Sequence, residues 1–300
     1  MPGRWARGTI VQMEHLQLEV TPVQADVREH AADSALGAAA RAGVVVRALD
    51  TLAELEAAST LIERIWDDGE AKAPITLLRA LSHAGSFVAG AYEDRELVGV
   101  SFGFLGLDAS DVHLHSHITG VDPHFRGRSV GYALKQYQRY WSLARGITVA
   151  QWTADPLVRG NAYFNLVKLG ASIVGYHDDF YGLLRDRLNA GGASDRAVIR
   201  WELVSDRSIR AASRPVAAPA LGDGVVILRA DGDRRPEIGA NGLGKTLHAW
   251  IPEDIVALRS TDPDLALAWR QAARDTIGRA LADGYRADTV TRDGWLVLTR

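Results

Sequence analysis

Cysteine is absent from all 300 residues. That excludes disulfides, thiolate catalysis and cysteine-ligated metals, and it permits a reducing compartment. Long apolar runs are missing too: no stretch of about 18 residues would carry the chain across a bilayer. The opening "MPGRWARGTIVQMEHLQLEV" lacks the continuous apolar segment of a secretory signal. The expectation is a cytoplasmic protein with no membrane partner. Neither sign of charge dominates. With 34 basic and 37 acidic residues the formal net charge is -3, which gives no reason to expect nucleic acid as a partner. No internal repeat and no block of like charge is visible.

What is present is an ordinary globular composition, 47% hydrophobic and 24% charged, in a chain long enough for one large domain or two modest ones. Residues 1–42 show little periodicity and read as a loose N-terminal arm, helical at most in part. From Gly43 the patterns sharpen. "VVVRAL" reads as a strand, and "TLAELEAASTLIERIWDD" as a helix with Leu52, Leu55, Leu61, Ile62, Ile65 and Trp66 at helical spacing. "PITLLRALSHAG" follows as a short helix between Pro74 and Gly85. "SFVAGAYED" and "ELVGVSFGFLGL" form a hairpin across Asp94-Arg95, and "DVHLHSHITGVD" is the next strand. The helix "VGYALKQYQRYWSLARG", the strand "TVAQWTAD" and the helix "NAYFNLVKLG" then lead to the strands "ASIVGYHDDF" and "AVIRWELV". The Ala/Pro/Ser-rich residues 206–224 read as a linker. A small C-terminal α+β unit over 225–300 follows, with strands "VVILRA", "KTLHAWI" and "GWLVLTR" and the helix "DLALAWRQAARDTIGRALADG".

The segment "HSHITGVDPHFRGRSVGYALK", His115 to Lys135, carries the strongest chemical signal. A strand ends in Val-Asp-Pro, an Arg/Gly cluster follows, and the pattern turns helical. The start of a helix presents unpaired N–H groups and partial positive charge. Glycines let that backbone approach a ligand closely, so an anion such as a diphosphate is the natural occupant. The bland alternative is a strand-to-helix turn with surface arginines.

"VDPHFRGRSVG" resembles the acyl-CoA binding signature of the GCN5-related N-acetyltransferases, and the element order over 43–205 is similar to that fold. "WTADPLVRGNAYFNLVKLGA", "FYG" with "SDRAVIRWEL", and the C-terminal "IPEDI" and "AWRQAARD" resemble one bacterial subfamily of predicted acetyltransferases, so the likeness spans 43–300. The resemblance implies an α/β fold with a mixed, mostly antiparallel central sheet and flanking helices. It implies acetyl-CoA or another acyl-CoA as co-substrate. The backbone of Arg126, Gly127, Arg128, Ser129, Val130 and Gly131 would hold the pyrophosphate. Thr119, Gly120 and Val121 would hold the pantetheine arm, with Asn161 as a further contact. Ser129 stands where the family has its first signature glycine, and serine is the costlier residue in a left-handed conformation.

Acyl transfer to an amine needs a base for the ammonium and an acid for the departing thiolate. Residues two apart share a strand face, so His113, His115 and His117 line one side of the strand that leads to the loop. Histidine titrates near neutral pH, and family members carry a base on this strand. His117, nearest the loop, is the preferred base and His115 the alternative; a structural histidine ladder is the competing reading. The family's thiolate-protonating tyrosine aligns with Leu166, so that acid is missing, and Tyr163, Tyr181 or water is left to substitute. Asp155 is a candidate for orienting the amine or acting as base, or is simply a turn residue before Pro156.

Two other signals stand in the sequence. "GANGLGKT", Gly239 to Thr246, matches a P-loop letter by letter but lacks the buried strand before it and the helix after it. His-x-His-x-His chelates a metal only if the rings converge, and side chains on one strand face stand about 6–7 Å apart, so no metal site is expected. The leading function is therefore N-acyl transfer from acyl-CoA to a primary amine of a small molecule in a ternary complex, with a backbone N–H near Val121 polarising the thioester. The alternatives are a non-catalytic acyl-CoA binding or sensor module, an N-succinyltransferase of amino acids, and a P-loop nucleotide enzyme. The C-terminal unit is available to cover the cleft, bind the acceptor or form a homodimer.

Overall fold

Alanine builds the first helix, α1 (Ala25–Ala42), in a computed structural model that describes residues 23–66, 73–108, 112–182, 194–214, 216–239 and 244–300. Ala31, Ala35, Ala38 and Ala42 are buried along one stripe. Their small side chains let this helix press closely on α4 (Val130–Leu143), where Ala38 and Ala42 join Val130, Ala133 and Leu134 in one apolar cluster. Gly43 ends α1 in the left-handed conformation, its N–H turned back to the carbonyls of Ala39 and Ala40. The expectation of a loose or partly helical arm is thus corrected toward helix at 25–42, which pack on α4. An alanine stripe carries too little hydrophobic contrast to stand out in sequence. Residues 1–22 lie outside the described residues.

The elements that follow are β1 (Val45–Ala48), α2 (Leu52–Trp66), α3 (Ile75–His83), β2 (Phe87–Glu93), β3 (Glu96–Leu107), β4 (Val112–Val121) and then α4. After these come β5 (Val149–Ala154), α5 (Arg159–Ala162) with a π-helical continuation over Tyr163–Lys168, β6 (Ser172–His177) and β7 (Arg196–Glu202). The β2–β3 hairpin turns at Asp94, whose φ is +51°. Helices α2 and α3 cover one face of β2 and β3 through Leu55, Leu61, Ile62, Leu78, Val88, Val100 and Phe102. Helices α1 and α4 cover the other.

The expected linker over 206–224 is also corrected. It opens with helix α6 (Asp206–Ser213), capped by the Ser205 hydroxyl and packed on the α1–α4 layer. Tyr132 of α4 donates to the Ala211 carbonyl at 3.1 Å, and a His30 ring nitrogen lies 2.9 Å from Ser213 Oγ. Residues 216–224 carry no helix or strand. The chain then forms β8 (Val225–Ala230), β9 (Pro236–Ile238), β10 (Thr246–Trp250), α7 (Ile255–Thr261), α8 (Pro263–Ala273), a π-helical turn over Arg274–Gly278, α9 (Arg279–Ala282), β11 (Arg286–Val290) and β12 (Trp295–Thr299).

The C-terminal strands extend the same sheet. Its order is β1-β2-β3-β4-β5-β7-β6-β11-β12-β10-β8-β9, with β4–β5 and β8–β10 parallel and the other pairs antiparallel. The seam is narrow, Ala287 of β11 against Ile173 of β6. Side chains reinforce it: Arg207 of α6 reaches the Leu166 carbonyl at 2.7 Å and Asp288 Oδ1 at 2.9 Å. One buried cluster runs across the seam, from Trp152, Leu166 and Trp201 to Trp269, Ile277 and Leu298. The P-loop-like letters fall between β9, three residues long, and β10, which starts at Thr246. A strand therefore follows where a phosphate loop needs a helix. Residues 240–243 of that segment lie outside the described residues.

Candidate active site

Strands β4 and β5 pair at two positions only, Leu114 with Ala150 and His115 with Gln151. Beyond that last rung they part. The rest of β4 stays bonded to β3 through Val121, and the rest of β5 stays bonded to β7 through Ala154. From Ser116 onward, one edge of β4 therefore offers backbone N–H and C=O groups to a gap, and such groups call for a partner. Thr119, Gly120 and Val121 all lie on this edge. Gly120 is required there: a Cβ would stand 2.9 Å from Ile65 Cδ1 and from the Trp66 ring of α2.

The gap runs into the glycine loop. Buried Asp122 accepts the His124 N–H at 2.9 Å and pairs with Arg64 of α2, which fixes a tight turn over Pro123–Phe125. Gly127 and Ser129 both have positive φ, +81° and +65°. Ser129 is the N-cap of α4, but its hydroxyl caps no amide. The first intrahelical bond runs from the Ala133 N–H to the Ser129 carbonyl at 3.0 Å. The amides of Val130, Gly131 and Tyr132 thus lie ahead of the helical ladder. Arg126 is exposed and has no ion pair among the described residues. Arg128 differs: it pairs with Glu93 of β2 and stacks over Phe125 at 4.9 Å. Asn161 is exposed on α5, the single helical turn that follows β5.

The three histidines share the α2/α3 face, though not evenly. Between Phe102 and Gly103 the β3–β4 register slips, because Phe102 faces Ile118 and Gly103 faces Ser116. His117 is the extra residue of a β-bulge, a device that re-aims a side chain. Its ring lies 5.4 Å from Phe102, 5.8 Å from Phe104 and 6.0 Å from His115. His115 stacks on Phe104 at 5.0 Å. His113 is buried against Gly106, where a Cβ would stand 2.3 Å from the imidazole, and its Nδ1 is 3.8 Å from Asp108. It is a packed residue, as the ladder reading had it.

Burial pushes the His115 pKa down to about 4, helped by the neighbouring His117, His113 and Lys135. His117 is also lowered by desolvation. His117 is exposed, with Phe102 and Phe104 of β3 beside its ring. It is therefore the most accessible imidazole of the three.

The other acid–base candidates separate. Asp155 does not join the histidines. Its Oδ1 accepts the Leu157 N–H at 2.9 Å, and its Oδ2 pairs with Arg259 of α7 and with Arg270 of α8 at 3.6 Å. The nearly buried carboxylate ties the end of β5 to the C-terminal helices, in keeping with the turn-residue alternative. Arg259 lies 104 residues further along the chain, and no local pattern announces it. Asp195, at the start of the β7 segment, makes a parallel tie to Arg274 and to the Tyr176 hydroxyl. Tyr163 opens the π-helical turn and packs against the large core cluster. Leu166 is buried in the same turn, so no phenol occupies the aligned position. Tyr181 comes closer to the gap. Its hydroxyl is 3.3 Å from Thr153 Oγ1, and Thr153 stands two residues past the last rung on β5, as His117 does on β4.

One polar group had no signal in sequence. Lys135 of α4 is 4% exposed, and its Nζ donates to Ser116 Oγ at 2.8 Å and to Gln138 Oε1 at 3.1 Å. It also lies 3.7 Å from the centre of the Trp152 ring.

No family model matches the chain, and no curated protein does. Solved structures do resemble it. The ribosomal-protein-S18-alanine N-acetyltransferase of Escherichia coli is 14% identical, with TM-score 0.44, over 53% of this chain and 94% of its own. A Streptococcus pneumoniae acetyltransferase of the GNAT family is 9% identical, with TM-score 0.42, over 52% and 98%. An Arabidopsis thaliana protein in complex with the bisubstrate analogue CoA-Ac-MVNAL is 16% identical, with TM-score 0.42, over 53% and 97%. Independently of those scores, the sheet order from β1 to β6, the parting of β4 from β5 and the loop before α4 are on view in this chain. Residues 45–202 form an α/β unit with a mixed, mostly antiparallel sheet and flanking helices.

Proposed function

We propose that the chain is an N-acyltransferase that moves an acetyl or other short acyl group from acyl-CoA to a primary amine of a small molecule. The observation that carries the reading is the open edge of β4, which leads through the Pro123–Phe125 turn to the uncapped amides at the start of α4. Amides of Gly127 to Gly131 and the Arg126 guanidinium suit a diphosphate. The edge from Ser116 to Val121 suits the amides of a pantetheine arm. His117 takes the proton of the attacking amine, and an N–H of the open edge polarises the thioester carbonyl. Direct attack in a ternary complex needs no cysteine. The test is binding followed by turnover. Acetyl-CoA or succinyl-CoA raises the melting temperature and gives a calorimetric heat, and one or more members of an amine panel cause thiol release. If neither acyl-CoA shifts melting or gives heat, the reading fails.

A non-catalytic acyl-CoA sensor is the second reading, and the buried Leu166 at the tyrosine position favours it. Amine-dependent thiol release with any acceptor removes it.

A further inference from the structure

A second polar group meets the gap from the opposite face of the sheet. Ser116 and Trp152 are the residues that follow the last rung, His115–Gln151, on the two strands. The Lys135 amine touches both, so it lies where the gap closes. Its described partners are a hydroxyl, an amide oxygen and an indole face, with no carboxylate among them. Burying an amine without a counter-charge is costly, and an apolar side chain of similar length would pack here at less cost. The titratable neighbour on β4 is His115, itself held neutral over most of the pH range.

The acyl-CoA reading gives this position a meaning. The diphosphate end sits at the loop, at the open mouth of the gap. From Val121 back to Ser116 the strand covers about 17 Å at the usual rise per residue. An arm laid along that edge brings its far end, the thioester, to the closed end. We propose that Lys135 protonates the departing CoA thiolate, a role that rests on the acyl-CoA reading above. In this step the amine nitrogen bonds to the carbonyl carbon and the C–S bond breaks, its electron pair going to sulfur. A proton passes from the Lys135 ammonium to sulfur, leaving CoA thiol and neutral lysine. His117 on the other face holds the proton lost by the attacking amine and returns it to solvent, and Lys135 regains one before the next turnover. Burial pushes the Lys135 pKa down to about 7, so the group exchanges protons near neutrality. The role also answers the aliphatic Leu166, which has no proton to give.

The test needs no acceptor. Wild type, Lys135→Met and Lys135→Arg are titrated with CoA and with acetyl-CoA by calorimetry at mildly alkaline pH, where the Lys135 amine is neutral and accepts a hydrogen bond from the CoA thiol. Wild type is expected to bind CoA at least about tenfold tighter than acetyl-CoA, a difference of about 1.4 kcal/mol. Lys135→Met loses the preference. Lys135→Arg loses it too, since a guanidinium accepts no hydrogen bond. Equal wild-type affinities overturn the proposal, and that result requires no variant to fold. A preference retained in Lys135→Met overturns it too. So does an acetyl adduct on Lys135 after incubation with acetyl-CoA, found by mass spectrometry, since the amine then acts as a nucleophile. Absence of binding by either ligand to wild type strikes the acyl-CoA reading instead, and is a different result.

Discussion

On one face of the sheet at the β4–β5 gap, His115 and His117 stand among Phe102 and Phe104. On the other, Lys135 lies beneath α4 against Trp152. Desolvation lowers the pKa of all three. The difference is access. His117 is exposed to solvent, whereas Lys135 is sealed in. An accessible imidazole lowered in pKa is a neutral base that meets an incoming amine. A sealed lysine lowered in pKa is an acid of intermediate strength that meets only what enters the gap. The same physical effect thus yields opposite uses, according to which side of the sheet water reaches.

The largest expected effect breaks the histidine side. His117→Gln lowers the turnover of an accepted amine by about 10²–10⁴-fold, the usual range for a positioned general base, while calorimetric acyl-CoA affinity is unchanged. His115→Gln lowers turnover less than tenfold. Wild-type turnover falls on acidification, through a pKa below the ordinary histidine value of 6.5, because protonation removes the base. His117→Gln lacks that acidic limb.

The next effect probes the sealed side through stability. The folded Lys135 pKa of about 7 lies below its unfolded value of 10.5. Between those values the unfolded chain binds more protons, so wild-type stability increases as pH rises from about 7 toward 10.5. The penalty is full below about 7 and absent above 10.5. Lys135→Met removes this slope and raises denaturant stability at neutral pH by an amount on the order of a few kcal/mol.

Smaller effects sharpen the loop that serves both faces. Arg126→Ala weakens acyl-CoA binding about tenfold, in line with the loss of one charge-assisted contact. Arg128→Ala changes it by less than about threefold, since that guanidinium is already engaged by Glu93 and Phe125. Parallel calorimetric titrations separate the two. The smallest is Ser129→Gly, which relieves a left-handed residue at φ +65° and adds about 1 kcal/mol of stability by denaturant titration.

Much of this was local and therefore legible. The hairpin β2–β3, the amphipathic α2 and α4, and the strand–loop–helix at 112–143 follow from periodicity and turn residues close in sequence. The histidine face of β4 followed from the alternation of the letters. Weak local contrast hid α1, whose stripe is alanine, and α6, which lay in an expected linker. It also hid α7 and β11, the latter alternating Arg286, Asp288 and Val290 over only five residues. What sequence determined is where the strongly patterned elements start, which face of each is apolar and where the helix after the glycine loop begins, because those depend on neighbours a few residues apart. Only the tertiary structure decided that His117 occupies a bulge, that Asp155 is spent on Arg259, and that Lys135 ends beneath Trp152. Those outcomes depend on register and on contacts between distant segments, and a single string of residues carries no local trace of either.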